Sequence, residues 1–119
     1  MGEEYPPAAR DPGRGLPMTA AERKHLDAVA SLGCIVCHRE GLGFTPAEIH
    51  HLKRNPETGV KLGMSQRASH WHTIPLCPTH HRAGGFGVAY HAGPRQFEAN
   101  YGTETELWAE VQRRVEVAA

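Results

Sequence analysis

The sequence predicts a small α+β domain, stapled by zinc and flanked by helices, behind a disordered N-terminal tail. Three observations predict it. Capping boxes stand ahead of amphipathic stretches near both ends of the ordered region, at Thr19–Glu22 and Thr103–Glu106. Two short strand-like runs, 47–52 and 72–76, lie between them. Two pairs with metal-ligand spacing, Cys34-x2-Cys37 and Cys77-x2-His80, bracket the first of those strands and close the second.

Residues 1–17, "MGEEYPPAARDPGRGLP", carry proline, glycine and charge and almost nothing to bury, so they read as a disordered tail. Residues 18–119 are left to form one domain. They are short of aliphatic and aromatic mass, and a body of this size often needs a staple. Thr19 caps a helix expected over 20–32, with Leu26, Val29 and Ala30 near one face and Gly33 as its stop. A glycine-punctuated loop follows Cys37 as far as Gly43. Residues 53–69 are polar and read as a long loop, which in a small domain is usually functional or disordered. Pro75 marks the second strand as an edge or an end. Pro78 fits the first turn of a helix carrying His80 and His81, which Gly84, Gly85 and Gly87 would interrupt. A short helix over 95–100 and a C-terminal helix with the stripe Leu107, Val111, Val115 and Trp108 complete the reading.

The cysteines carry the first chemistry. No run approaches a membrane span and the N-terminus lacks the apolar core of a signal peptide, so the expectation is a cytoplasmic chain with reduced thiols and no membrane partner. An odd count of three argues against a disulfide framework. Cys34, Cys37, Cys77 and His80 instead make a Cys3His set for structural zinc, closing a loop of 40 residues (77 − 37). His38 could compete as a ligand and ranks below His80 on spacing. A thioredoxin-like role for Cys34 and Cys37 lacks its βαβ context.

Net charge is zero, but its distribution is uneven. Between Phe44 and Arg95, six basic residues (Lys53, Arg54, Lys61, Arg67, Arg82, Arg95) face Glu48 and Glu57, a balance of +4 against −4 elsewhere. A basic middle suits a polyanion held at one face. Lys53, Arg54, Lys61, Arg67 and Arg82 are the candidate phosphate contacts.

Two histidine pairs remain, "IHHL" at 49–52 and "THHR" at 79–82. Adjacent residues on a strand point to opposite faces, so the members of a pair can serve different tasks. Zinc knuckle, strand ending in a histidine pair, loop, strand, second knuckle entering a helix: this layout resembles the HNH (ββα-metal) endonucleases. With "IPLCPTHH", "YH", "FEANYG" and "ELW" added, the stretch from Cys34 to Trp108 is similar to the phage recombination enhancement function nucleases, which are RecA-dependent. The resemblance implies His51 as general base and His50 and His81 as ligands of a catalytic divalent cation such as Mg2+, Mn2+ or Zn2+. It puts His72 where the family often has a loop-pinning asparagine. His91 is the candidate third ligand, although it follows His81 by ten residues (91 − 81), across "RAGGFGVAY", where the family's third histidine follows closely.

The function so implied is metal-dependent phosphodiester hydrolysis of single-stranded DNA or recombination intermediates by a phage- or prophage-encoded protein, with a RecA filament as partner. The competing expectation is a non-catalytic zinc-stapled DNA-binding or recombination accessory module. A zinc deaminase is excluded, since the His-x-Glu before a Pro-Cys-x-x-Cys is missing.

Overall fold

The computed structural model describes residues 17–64 and 66–118; all but the last residue of the expected tail lies outside them. The elements run α1 (Ala20–Ser31), α2 (Ile35–Arg39), β1 (Glu48–His51), β2 (Thr73–Leu76), a π-helical turn (Thr79–Ala83), a 3-10 turn (Tyr90–Ala92), α3 (Pro94–Tyr101) and α4 (Glu104–Ala118). The fold is α+β: one two-stranded sheet among helices.

Both expected capping boxes form. At α1, Glu22 N donates to Thr19 Oγ1 at 3.0 Å and Thr19 N donates back to Glu22 Oε1 at 2.9 Å. Glu106 N and Thr103 Oγ1 repeat the pattern at α4. Gly33 stops α1 at φ 77°, a left-handed conformation that favours glycine. Proline opens α3 at its first turn, where no N–H is needed.

The strands pair antiparallel, Glu48 opposite Leu76 and His51 opposite Thr73. Leu52 N donates to His72 O at 3.1 Å, so the bonded pairs are those at even positions of β1. Pro75 faces Ile49 at a non-bonded pair, where a missing N–H costs the ladder nothing. Every residue of β2 is buried, because α1 and α4 both pack on it. The core joins Val29, Ile35, Val36, Leu52, Ile74, Leu76, Phe97, Leu107 and Val111 to the three cysteines.

Two differences from the sequence expectation have local causes. Residues after Cys34 form the helical turn α2 rather than a bare knuckle: Cys34 Sγ accepts from Cys37 N, capping five residues whose β-branched Ile35 and Val36 give little helix signal. The loop after β1 is tied to itself. Arg54 and Lys61 form a bridge, and Asn55 Oδ1 accepts from the N–H groups of Glu57 and Thr58.

Phe97 is fully buried between Tyr90 and Tyr101, at centroid distances of 5.4 and 5.1 Å. Phe97→Ala is expected to destabilise the protein by about 3–5 kcal/mol, read from the midpoint and slope of denaturant unfolding.

Candidate functional site

Cys34 sits at the N-cap of α2 and Cys37 within it. Cys77 follows β2, and His80 projects inward from the π-helical turn, where Gly84 N reaches Thr79 O at 2.9 Å. All four side chains are buried and their donor atoms lie within 4.8 Å of one another. With Zn–S near 2.3 Å and Zn–N near 2.0 Å, a tetrahedron needs edges of roughly 3.8 Å for S···S and roughly 3.5 Å for S···N. Cys37 and Cys77 stand 3.8 Å apart, and His80 Nδ1 lies 3.7, 3.5 and 3.3 Å from the sulfurs of Cys34, Cys37 and Cys77. The Cys3His set therefore fits zinc in both donor type and spacing. Burial pushes the Cys34 thiol up to about 12. An apolar pocket disfavours bare thiolates, and zinc is the charge that would reverse this. His38 is an exposed residue of α2 and is not in the set.

A second group joins His50, His81 and His91, whose candidate ligand nitrogens also lie within 4.8 Å of one another. His81 Nε2 and His91 Nε2 are 3.2 Å apart, close to the edge spanned by two imidazoles about 2.1 Å from one ion. The strand register builds this group. Glu48 and His50 share one face of β1 and meet His81, while Ile49 and His51 take the other. The ten-residue step to His91 is spanned by the 3-10 turn, which returns Tyr90 and His91 beside His50 at 4.5 and 5.2 Å.

Carboxylates brace the trio, and no spacing in the sequence points to either. Glu48 Oε1 lies 2.8 Å from His81 Nδ1, leaving Nε2 for the cluster. Glu104 Oε2 lies 2.6 Å from His50 Nε2, leaving Nδ1. Histidine ligands are commonly oriented in this way through their second nitrogen. Glu104 is itself buried, accepts from Lys53 N at 3.0 and 3.1 Å, and bonds the Tyr90 hydroxyl, whose pKa burial and this carboxylate raise. Burial lowers the pKa of His50 and of His91, so both favour the neutral, ligating form. Arg82, with His81 second, holds Glu48 down to about 2.

The other candidate residues fall around this centre. His51 points away from Glu48 and His50, its Nε2 3.0 Å from His70 Nδ1. Burial, then the Arg67 charge, lower its pKa to about 4. His72 does not join the trio: its Nε2 meets Glu57 at 3.1 Å and its ring packs on Trp108. Lys53 and Arg67 line a cleft of about 300 Å³ with His51. Lys53, Arg54, Lys61 and Arg95 line another of about 230 Å³ on the side of Glu104 and Tyr90. Arg82 spends its guanidinium on Glu48, at 2.6 Å from Nη2 to Oε2.

Replacing Cys37 with serine is expected to lower bound zinc from about one ion per chain to none. The melting temperature should fall with it, since a structural zinc stabilises only the folded state. Elemental analysis and thermal unfolding check the two effects.

No helix among the described residues is long and apolar enough to cross a membrane. The family model for recombination enhancement, RecA-dependent nucleases matches residues 18–116, which takes in both clusters and all four helices up to the last turn. This chain belongs to that family, the RecA-dependent nucleases of recombination enhancement.

Proposed function

We propose that this chain is a metal-dependent DNA endonuclease of the HNH (ββα-metal) type, phage- or prophage-encoded, cutting DNA in recombination intermediates. The observation that carries the reading is the His50–His81–His91 trio, backed by two carboxylates, with His51 on the opposite face of the same strand. A divalent cation in the trio would polarise the phosphoryl group and support the leaving 3′ oxygen. Imidazole donors favour Mn2+ or Zn2+ over Mg2+ there.

His51 is the general base in this reading. Its lowered pKa keeps the ring neutral at pH 7, and a neutral imidazole accepts the proton of the attacking water. His70 holds Nε2 and leaves Nδ1 for that proton. A phosphate bound beside the ring favours the imidazolium and strengthens the base. His72 acts through the loop, pinning it by way of Glu57. Lys53, Arg54, Lys61 and Arg67 bind backbone phosphates, which supplies affinity without sequence preference. Arg82 serves through Glu48, and through it His81. Products carry 5′ phosphate and 3′ hydroxyl, and the RecA filament presents the substrate.

The test is nicking of supercoiled and single-stranded DNA by wild type and His51→Ala, with Mn2+, with and without a RecA filament. Wild type should cut and His51→Ala should lose at least about 100-fold, the usual scale of a general base, with about one zinc retained in each. Failure of both to cut in every condition, with zinc bound, would leave the zinc-stapled DNA-binding module instead. Glu104→Ala should weaken Mn2+ binding by roughly 10- to 100-fold, measured by titration calorimetry on zinc-loaded protein.

A further inference from the structure

Phe86 lies in the segment between two members of the histidine trio, His81 and His91. Its side chain is 74% exposed, yet it is held in place. Gly85 and Gly87 on either side adopt φ of 84° and 86°. Gly85 O accepts from Val88 N and Ala89 N, and Gly87 O accepts from Asn100 Nδ2 of α3 at 2.8 Å. One edge of the ring rests on Gly93, where an added Cβ would lie 2.7 Å from Cδ1 and Cε1. Gly93 closes the 3-10 turn that carries His91, so the exposed ring is seated on the same turn as that member of the trio.

A basic cleft begins one residue further on. Pro94 and Arg95 line it with Lys53, Arg54 and Lys61. Its two carboxylates are already engaged, Glu98 by the N–H of Glu104, and Glu104 by His50 and Lys53. With four cations against two carboxylates the cleft is net positive toward a phosphate chain, and Phe86, resting on the residue before Pro94, adds a flat exposed apolar face. Aromatic faces beside a basic groove bind single strands by stacking on bases. Inside a duplex both faces of a base are covered by stacked neighbours, whereas a single strand can turn a base out onto this ring.

We propose that Phe86 is a stacking platform for an unpaired base next to the cleavage site, with the strand's phosphates running along the Lys53–Arg54–Lys61–Arg95 cleft. This rests on the nuclease reading for its purpose, but it is testable by binding alone. The probes are a fluorescein-labelled single-stranded 20-mer and its duplex, titrated by anisotropy with zinc-loaded full-length protein and no second metal. Phe86→Ala should lower the ratio of single-strand to duplex affinity by roughly 10-fold, within the range measured for stacked bases.

Phe86→Trp should restore that ratio and Phe86→Leu should not. Gly93→Ala, at an extended φ of −178° that any residue adopts, should displace the ring and match Phe86→Ala. The double variant should be no worse than either. Wild-type ratios in Phe86→Leu, equal losses on both DNAs, or a loss seen only with a RecA filament present would overturn the proposal. A lowered ratio in a protein that never cuts DNA would sink the nuclease reading while the platform stands. Cleavage with an unchanged ratio would do the reverse.

Discussion

Cys34 and Cys37 approach Cys77 and His80 at tetrahedral spacing, and this convergence sets where the strand pair lies relative to α1 and α2. The surrounding core is thin. Among the described residues its buried apolar members include three cysteines and two alanines, so hydrophobic burial by itself is modest. A metal that binds only the folded arrangement adds its binding free energy to folding. It also removes the entropy of the long loop between the knuckles. The same convergence lies beside β2, whose pairing with β1 sets the register that aims His50.

One strand then divides its histidines between two groups of side chains. Glu48 and His50 face the trio while His51 faces His70 and Arg67, because side chains alternate along β1. The π-helical turn does the same with another adjacent pair, sending His80 to the cysteines and His81 to the trio. Such turns are often found at functional sites, where they re-aim successive side chains. Between the clusters runs a line of ring contacts. His50 meets Tyr90 at 4.5 Å, Tyr90 and Tyr101 flank Phe97, and Tyr101 meets His80 at 5.2 Å. The helix α3 thus fills the space between the two sites.

Local signals were legible in the sequence and long-range pairings were not. The capping boxes at Thr19 and Thr103, the glycine stop at Gly33 and the two strands emerge where spacing and turn chemistry put them. The Cys3His set was readable because ligand spacing is itself local, two residues within each knuckle. The turn α2 was hidden by its shortness and its β-branched residues. Glu104 looked like one more acidic residue at a helix start. Its partner His50 is 54 residues away (104 − 50), and no periodicity encodes that contact. The bonds from His51 to His70 and from His72 to Glu57 depend in the same way on a loop path that composition does not specify. The contact of His25 with Trp71, at 4.7 Å, is supplied by the far end of the same loop.

The spread of these residues along the chain imposes an order on biosynthesis. As the polypeptide leaves the ribosome, the first knuckle emerges with no second half to meet. The staple is complete only when His80 has appeared, the trio only at His91, and the carboxylate behind His50 only at Glu104, after α3 has been made. Domains fold as units while the chain lengthens. Because the domain folds as a unit, neither cluster is complete and braced until the residues up to Glu104 are free to pack together.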